Sequence, residues 1–435
     1  MERQVTSGIG GRILTNCNVW SPDSRWIVYD TRSDAAGAVF DGTAIEIANV
    51  ETGKIRRVYE SRNEACCGAA TFHPKENWVA FILGPEHPAP DWEYAPAHRQ
   101  GVLVNVDEPG VALNLDARDV TPPFTPGALR GGSHVHVFRP DGQALSFTYN
   151  DAPLSRFEEA TAEHENDRRN IGVSVPIGAV SVPKTHLRNH NGAYFSVLAT
   201  RTTANPRPGS DEIAQALEEG WIGTTGYVRP DGTRQIAALV FQGQVLAANG
   251  NLLWEVFIVD LPEDLTRAPF DGKLEGTETR RPLPPLGTRQ RRLTRTEDRR
   301  HPGIFGPRHW LRSSPGGKEI AFLMRDDEGI VQIWTVSPNG GEPRQITSEN
   351  WGVTSAFTWS PDGGLIAYIA DNSVFTVDFR TGQSQRRTER TAETPLPLAC
   401  VFSPDGTKIA YLRRIEGANQ IFVLHCDACD YEDRL

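Results

Sequence analysis

Residues 133–143 read Ser-His-Val-His-Val-Phe-Arg-Pro-Asp-Gly-Gln, a short apolar strand that runs into a tight turn. Pro140 holds φ near the value that the second position of a type I turn requires, and the Asp-Gly pair after it supplies a capping side chain and a permissive backbone. His134 and His136 stand two residues apart, and a regular strand places such side chains on one face. The stretch therefore predicts a strand–turn unit that carries two imidazoles.

The same turn recurs along the whole chain. Its seven copies occupy residues 21–24, 73–76, 139–142, 229–232, 314–317, 360–363 and 403–406. In five copies the preceding residue is aromatic, namely Trp20, Phe72, Phe138, Trp359 and Phe402. A second and a third strand follow most turns, and then a fourth with a basic stretch that ends in Thr, as at 344–347. Four antiparallel strands per unit, repeated every ~40 residues or more, predict an all-β, seven-bladed β-propeller.

The two ends of the chain predict how the ring closes. Residues 2–7 resemble the fourth strand of a blade, whereas the last unit supplies three strands and ends its third at 420–424. We expect the N-terminal strand to complete the last blade, because this arrangement leaves no open sheet edge. The whole chain, residues 1–435, then forms a single propeller domain.

The region between the third and fourth units is the least regular part of the chain. Residues 194–203 read as a further strand, and residues 211–219 read as a short helix capped by Ser210. An inserted hairpin and a partial eighth blade would give the same pattern, so the sequence leaves both open. We assign residues 190–220 to an insertion on the loop-rich face defined below.

Composition limits the partners of the protein. The chain has 40 Gly and 31 Pro in 435 residues, which suits many short strands joined by turns. A net charge of −10 argues against nucleic acid or an anionic membrane as a partner, because both require a dense cationic face. No apolar run is long enough to span a membrane, and the first residues lack the apolar core of a secretion signal. We expect a cytoplasmic protein, or a periplasmic one if a signal was removed.

The cysteines predict neither disulfides nor a zinc site. The chain has six cysteines without a framework spacing. Cys426 and Cys429 form a C-x-x-C pair near the C-terminus, but no second pair accompanies them. We therefore interpret all six as reduced thiols.

Loop lengths distinguish the two faces of the predicted disc. The first-to-second connections are tight turns, and we call their side the turn face. The second-to-third connections of the first three units are long, at 32–42, 84–100 and 150–169, and lie with the blade-to-blade connections on the loop-rich face. Binding usually resides where loops cluster on a rigid scaffold. Residues 261–290 form one long third-to-fourth excursion on the turn face.

Three histidines fall at equivalent places on the innermost strands. His134 and His136 precede the third turn, and His309 precedes the fifth turn at the level of His134. Imidazoles that converge on the axis with an open position would suit catalytic Zn²⁺, Mn²⁺, Fe²⁺ or Ni²⁺. The alternative is that they only satisfy inward-pointing backbone groups around a wet channel. Asn16 and Asn18 occupy the matching places in the first unit.

Three longer motifs carry a family resemblance. They read Asn-Cys-Asn-Val-Trp-Ser-Pro-Asp at 16–23, Thr-Pro-Pro-Phe-Thr-Pro-Gly-Ala-Leu-Arg-Gly-Gly at 121–132, and Asp-Glu-Ile at 211–213. Through them the chain resembles the YidR-like family of bacterial propellers over its whole length. Its turns are also similar, more distantly, to those of the oligogalacturonate lyases and of the TolB propeller. Such turns mark an architecture rather than a function.

The resemblance to the lyases implies a metal site and a reaction. In that family a His-x-His ahead of such a turn binds Mn²⁺ beside another histidine and a glutamine, and the metal holds a uronate carboxylate. On this sequence the ligands would be His134, His136 and His309, and Gly131 stands where the glutamine would be. The implied function is metal-dependent β-elimination on a uronide or related glycoside at the mouth of the axial channel. The implied partner is a small carbohydrate.

The same resemblance implies roles for residues near that mouth. The residues assigned to catalysis are His98, Arg99, Arg130 and Tyr149. The residues assigned to substrate binding are Asn16, Asn18, Trp92, Tyr94, Gln100 and Asp151. Arginine suits a carboxylate through bidentate contacts, and the two aromatic rings could stack on a sugar. The alternative for each loop residue is that it anchors its own loop.

A second function fits the same sequence. As in a TolB-like propeller, the loop-rich face could dock a protein partner without catalysis, with the histidines incidental. Stoichiometric metal that is lost when His134 is replaced would favour the enzyme. A metal-free protein with a well-ordered channel would favour the interaction scaffold.

Overall fold

A computed structural model describes residues 1–307 and 309–426 and shows a ring of seven four-stranded antiparallel sheets. Each sheet is one blade, and its strands follow one another outward from the axis. The all-β, seven-bladed propeller predicted from the turn repeat is thereby confirmed. Two short 3₁₀ turns, η1 (Pro96–His98) and η2 (Leu154–Arg156), are present, and no helix in the described residues could cross a membrane.

The strands have the following bounds. Blade one contains β2 (Gly11–Ile13), β3 (Trp26–Arg32), β4 (Ala44–Asn49) and β5 (Ile55–Glu60). Blade two contains β6 (Cys67–Phe72), β7 (Trp78–Leu83), β8 (Gln100–Asn105) and β9 (Ala112–Asn114). Blade three contains β10 (Gly132–Phe138), β11 (Leu145–Asn150), β12 (Asn170–Val175) and β13 (Phe195–Leu198).

The remaining blades follow the same order. Blade four contains β14 (Ile213–Trp221), β17 (Ala238–Leu246), β18 (Leu252–Asp260) and β19 (Arg289–Arg292), with a separate hairpin of β15 (Tyr227–Val228) and β16 (Arg234–Gln235). Blade five contains β20 (Arg312–Ser313), β21 (Ile320–Arg325), β22 (Val331–Val336) and β23 (Arg344–Gln345). Blade six contains β24 (Thr358–Trp359), β25 (Leu365–Ala370), β26 (Ser373–Asp378) and β27 (Ser384–Arg386). Blade seven contains β28 (Pro395–Phe402), β29 (Lys408–Ile415), β30 (Ala418–His425) and β1 (Glu2–Gln4).

The two ends of the chain meet in blade seven. Strand β1 is the outer strand of this blade and pairs antiparallel with β30, with Arg3 opposite Val423. Beyond β1, the backbone N–H of Val5 donates to the carbonyl oxygen of Ile421 at 2.8 Å. These bonds join the first residues to the last blade and close the ring, which pairs the edge that β30 would otherwise expose.

Indole groups tie neighbouring blades together near the turn face. Trp20 of blade one donates from Nε1 to the carbonyl oxygen of Val401 in blade seven at 3.1 Å. Trp221 donates to Val137 across blades four and three at 2.9 Å, and Trp359 donates to Arg312 across blades six and five at 3.0 Å. Each of these indoles therefore packs against the preceding blade and pairs one of its inner carbonyls.

Blade four differs from its prediction. The turn at 229–232 joins β15 to β16, a small hairpin inserted between β14 and β17, and does not join the first two strands of the blade. The helix predicted at 211–219 is wrong, because β14 occupies this region and pairs with β17. Strand β14 is covered on both faces, so its buried residues do not alternate with exposed ones and imitate a helical pattern.

Residues 190–220 are not an insertion. They contain β13, which is the outer strand of blade three, and most of β14, the innermost strand of blade four. The extra strand predicted at 194–203 thus belongs to a regular blade, and blade three gains the fourth strand that its sequence pattern had left unassigned.

The connection at 261–288 reaches both faces of the disc. It leaves β18 on the turn face, where Leu265 and Leu274 join the apolar cluster between blades three and four. It then meets the loop between β11 and β12, where Glu165 accepts hydrogen bonds from Arg281. The expectation that this connection stays on the turn face is therefore wrong. We call residues 261–288 the strap.

The described cysteines are Cys17, Cys66, Cys67, Cys400 and Cys426, and all five are free thiols. Cys429, the second residue of the C-x-x-C pair, lies outside the described residues.

Candidate axial site

A bulge interrupts the innermost strand of blade three. The pairing register shifts between His134, which lies opposite Thr148, and Val137, which lies opposite Ser146. Val135 between them has a φ of 54°, a left-handed value that β-branched residues rarely adopt. The extra residue turns His134 and His136 to different faces of β10, so the expectation that they share one face is wrong.

The same kind of strain recurs around the axis. On the innermost segments of three further blades, positive φ values occur at Asn18 (47°), Ala69 (57°) and Glu218 (57°). Non-glycine residues in this region of φ cost energy and cluster at functional sites. The four strained residues lie on the axial side of blades one to four, so we searched that part of the ring for a functional site.

His136 is enclosed between blades two and three. Its Nε2 lies 2.5 Å from the point that a Cβ on Gly101 would occupy, and Oδ1 of Asp116 lies 2.4 Å from that point. Among the described residues neither ring nitrogen of His136 has a hydrogen-bond partner, and burial lowers its pKa to about 3. The imidazole is therefore neutral and sealed away from the axis.

His309 uses both ring nitrogens on the backbone. Nδ1 donates to the carbonyl oxygen of Pro307 at 2.9 Å, and Nε2 accepts the N–H of Leu323 at 3.3 Å. Burial lowers its pKa to about 4, which keeps the ring neutral. His309 thus satisfies backbone groups, as the alternative interpretation of the histidines had it.

The three histidines predicted as metal ligands do not form a metal site. His309 has no free nitrogen, and His136 points into a closed space on a different face from His134. Throughout residues 1–307 and 309–426, no three His, Cys, Asp or Glu side chains are grouped so that they could hold a metal ion. The prediction of a metal at these histidines is therefore wrong, and the residues present do not fit the manganese that the resemblance implied.

Trp92 and His98 anchor their own loop on the loop-rich face. Their rings stack with centroids 3.8 Å apart, and Nδ1 of His98 donates to the carbonyl oxygen of Glu93 at 2.7 Å. Burial lowers the pKa of His98. Both side chains therefore hold the 84–100 loop together.

The neighbouring candidates in that loop are engaged in the same way. Arg99 donates from Nε to the hydroxyl of Tyr94 at 3.0 Å, and the Tyr94 ring stacks on Phe40 at 4.9 Å. Gln100 donates to Oδ1 of Asn114 at 2.5 Å. These contacts favour the loop-anchor alternative, although substrate binding by Tyr94 and Gln100 stays a prediction.

Arg130, Tyr149 and Asp151 form a buried network. Arg130 donates from Nε to Oδ2 of Asp151 at 2.7 Å, and Tyr149 donates to the same oxygen at 3.1 Å. The other Arg130 nitrogens donate to the carbonyl oxygens of Thr277 and Arg280 in the strap. Arg130 therefore fixes the strap to blade three, and its donors are occupied by protein groups.

A pocket of about 390 Å³ opens along the axis on the turn face. Prolines of six turns surround its mouth: Pro22, Pro74, Pro140, Pro315, Pro361 and Pro404. Aromatic side chains form its walls: Trp20, Phe72, Phe138, Trp221, Trp359 and Phe402. The turns that define the fold thus also line a concave apolar site at the centre of the ring.

Asn16 and Arg312 close the floor of this pocket. Asn16 donates from Nδ2 to the carbonyl oxygen of Phe357 at 3.1 Å and accepts the N–H of Cys400 at 3.2 Å, which links blade one to blades six and seven. Arg312 of blade five donates from Nη2 to the carbonyl oxygen of Asn16 at 2.8 Å. These bonds cross the axis, so the pocket is blind. Asn18 also lines it.

Arg312 is a positive charge without a carboxylate partner. None of the ion pairs found among the described residues includes it, and its donors face the backbone oxygens of Leu311 and Asn16 and the thiol of Cys17, which also lines the pocket. Nη1 lies 3.3 Å from the point that a Cβ on Gly220 would occupy, so the guanidinium sits against the innermost strand of blade four. Burial lowers its pKa. A half-buried, unpaired guanidinium on a pocket floor is suited to hold an anion.

Glu219 lies behind this floor, next to Gly220. It is fully buried, and Oε2 accepts a hydrogen bond from the hydroxyl of Thr148 at 3.2 Å. Oε1 has no hydrogen-bond partner among the described residues. Burial raises its pKa to about 7, and the field of Arg312 opposes only part of that rise. A carboxyl group with such a pKa can take up and release a proton near neutral pH.

The sequence did not predict Glu219 or Arg312 as site residues, although Arg312 is distinguished by its position in the turn repeat. In five other turn units the residue two places before the turn is Val or Thr: Val19, Thr71, Val137, Thr358 and Val401. Arg312 is the charged exception at that place. Glu219 has no such signal, because its strand was read as a helix.

Fold and site together define a seven-bladed β-propeller with a blind axial pocket. The chain belongs to the family of the uncharacterised protein YidR of Escherichia coli (strain K12), to which it is 45% identical over 413 residues, 94% of each chain. Residues 66–190 match the family model described as a protein of unknown function, DUF3748. The resemblance seen in the sequence motifs is thereby confirmed.

Two solved oligogalacturonate lyases share the architecture. One, in complex with manganese, superposes with a TM-score of 0.55 at 12% identity and covers 99% of this chain and 94% of its own. The other, from Vibrio parahaemolyticus, has a TM-score of 0.52 at 11% identity and covers 98% of this chain and 94% of its own. Likeness at this identity concerns the fold.

Proposed function

We propose that the protein is a lyase-type enzyme that acts on a carboxylate-bearing carbohydrate in the axial pocket. The observation that carries the proposal is the Arg312 guanidinium, which lines the floor of an apolar pocket and takes part in none of the ion pairs found among the described residues. The fold shared with two oligogalacturonate lyases supports this class of reaction.

Binding follows from the distribution of polar and apolar groups in the pocket. A uronide carries its charge on one side of the ring and apolar C–H groups on the faces. Arg312 would hold the carboxylate through two parallel hydrogen bonds, and wall residues such as Trp20 and Trp359 would pack on the sugar faces. A blind pocket admits the end of a chain and excludes its middle.

The reaction is an elimination across the bond next to the carboxylate. A base takes the proton from the carbon that bears the carboxylate. Glu219 is fully buried and does not line the pocket, so it is not placed to take this proton directly. The released electron pair forms a carbon–carbon double bond to the next ring carbon, and the bond from that carbon to the glycosidic oxygen breaks. The leaving oxygen takes up a proton, and the base releases the proton that it has taken to the solvent. Arg312 stabilises the charge that grows on the carboxylate as the proton departs.

Replacement of Arg312 by Gln tests this proposal. The wild type is incubated with oligogalacturonates, and formation of the unsaturated product is followed by its ultraviolet absorbance. We expect turnover in the wild type and a loss of about 100-fold or more in the Arg312→Gln variant, because the carboxylate loses its charged partner. Arg25→Gln, at an exposed arginine of the turn face in blade one, is the matched control and should keep full activity.

Two results would contradict the proposal. One is equal turnover in the wild type and in Arg312→Gln. The other is an absence of any unsaturated product from uronides in the wild type, which would leave the interaction scaffold as the function of the propeller.

A further inference from the structure

The axial pocket carries a single charge. Arg312 is the one charged side chain among the described residues that line it, and no acidic side chain accompanies it there. The aspartates of the surrounding turns are held by their own turns: Asp362 accepts the N–H of Gly364 at 2.9 Å, and Asp405 accepts that of Thr407 at 3.0 Å. An anion that enters the pocket therefore meets one guanidinium and no carboxylate.

The polar side chains of the pocket wall are largely occupied by the protein itself. The three indole N–H groups of the wall donate to backbone carbonyl oxygens of neighbouring blades. Thr358 donates from its hydroxyl to the carbonyl oxygen of Cys400 at 2.8 Å, and Thr224 donates to that of Pro315 at 3.2 Å. The wall thus offers a ligand rings and apolar surface, and it has few donors left for hydroxyl groups.

The shape of the pocket limits the length of an enclosed ligand. The hydrogen bonds of Asn16 and Arg312 close the floor, so an acid whose carboxylate reaches Arg312 is enclosed by the walls only if its body is short. The volume of about 390 Å³ suits a compact ring system, and three indole and three phenyl groups surround it. Aromatic rings pack favourably on such walls through offset and edge contacts.

We propose that the axial pocket binds small aromatic monocarboxylates, with the carboxylate on Arg312 and the ring between the aromatic walls. This ligand class goes beyond the proposed function, because it uses the same pocket and the same arginine but undergoes no elimination. A uronide has to keep its hydroxyl groups hydrated at the mouth, whereas an aromatic acid buries only apolar surface behind its carboxylate. A neutral ring lacks a partner for Arg312, and an amine is repelled by it. Aromatic acids should therefore compete with uronides for Arg312 and inhibit the proposed reaction.

Three probes separate the contribution of the charge from that of the ring. Calorimetry measures the dissociation constants of cinnamate, of acetate, which has the charge without the ring, and of cinnamyl alcohol, which has the ring without the charge. We expect the wild type to bind cinnamate at least about tenfold more tightly than either of the other two. The heat capacity change for cinnamate should be negative, because apolar surface is buried.

Two variants locate the charge that is responsible. Arg312→Gln should bind cinnamate no better than cinnamyl alcohol, whereas Arg25→Gln, at an exposed arginine, should behave as the wild type. The comparison of the three probes uses the wild type alone, so it tests the inference even if Arg312→Gln folds poorly.

The outcomes that contradict the inference differ from those that contradict the proposed function. Equal affinity for cinnamate and acetate would mean that the walls contribute nothing, and equal affinity for cinnamate and cinnamyl alcohol would mean the same of Arg312. Equal losses in Arg312→Gln and Arg25→Gln would show only a general attraction to positive charge. Each of these results would overturn the inference, as would uronide turnover that cinnamate does not inhibit. A wild type that binds cinnamate through Arg312 but forms no unsaturated product from uronides would keep the inference and remove the proposed function.

Discussion

Glu219 is a buried carboxyl group whose pKa is raised from 4.5 to about 7 in the folded protein. The folded state therefore binds this proton more tightly than the unfolded state does. Its contribution to stability is fully present below the unfolded pKa and declines as the pH rises towards 7. A glutamine at this position is uncharged at every pH, so the Glu219→Gln variant should lack this decline.

The expected result is a difference in the pH dependence of unfolding. Between about pH 5 and about pH 8 the wild type should lose on the order of 3 kcal/mol more of its free energy of unfolding than Glu219→Gln does. Urea denaturation at both pH values measures the difference. Asp30 and Asp116, whose pKa values burial raises to about 6, are present in both proteins and cancel in the comparison. Parallel pH profiles would show that Glu219 ionises normally.

The residue scale is where the sequence predicted the site least well. The His-x-His pattern at 134–136 implied a shared face, but that inference requires an unbroken register. The bulge lies at Val135, whose φ is 54°. Valine rarely adopts a positive φ, so the sequence does not indicate a bulge at this position. Glu219 and Arg312 belong to the innermost strands of the neighbouring blades four and five, and no local sequence pattern relates two residues so far apart in the chain.

At the scale of elements, β1 closes the ring through a small number of bonds. The N–H of Val5 donates to the carbonyl oxygen of Ile421 at 2.8 Å, and Val5 is buried. Val5→Pro removes this donor and leaves the carbonyl unpaired, so the free energy of unfolding should fall by about 1 to 3 kcal/mol beyond the loss seen in Val5→Ala, which keeps the donor. Urea denaturation of the two variants measures the difference, and equal stability would mean that the closing strand is not held by this bond.

The elements also show which parts of the fold the sequence could predict. The turn at 139–142 and its counterparts at 360–363 and 403–406 were predictable because Pro, Asp and Gly fix a local conformation. Blade four was not, because its turn at 229–232 has the same residues but joins the two strands of a small hairpin. The innermost strand at 213–221 is packed on both sides, which removes the alternation that reveals a strand.

In the whole molecule, the axial pocket opens on the turn face, whereas the loop lengths had predicted a binding site on the loop-rich face. On the loop-rich face the long loops are tied down by stacked rings and by Arg130, which is bonded to the strap. On the turn face the short turns leave the axis open to a blind pocket. Short loops expose the centre of a propeller, whereas long loops can cover it.

The arrangement of the histidines makes a prediction about the metal content of the whole protein. His309 is committed to the backbone and His136 is sealed between blades, so these positions offer no converging set of ligands. Purified protein should therefore contain much less than one equivalent of Mn, Zn, Fe or Ni by elemental analysis, and a chelator should change neither its thermal midpoint nor its turnover of uronides. His134→Ala is the matched variant, and its metal content should equal that of the wild type. One equivalent of a metal in the wild type that disappears in His134→Ala would restore the metal site and displace Arg312 from the centre of the mechanism.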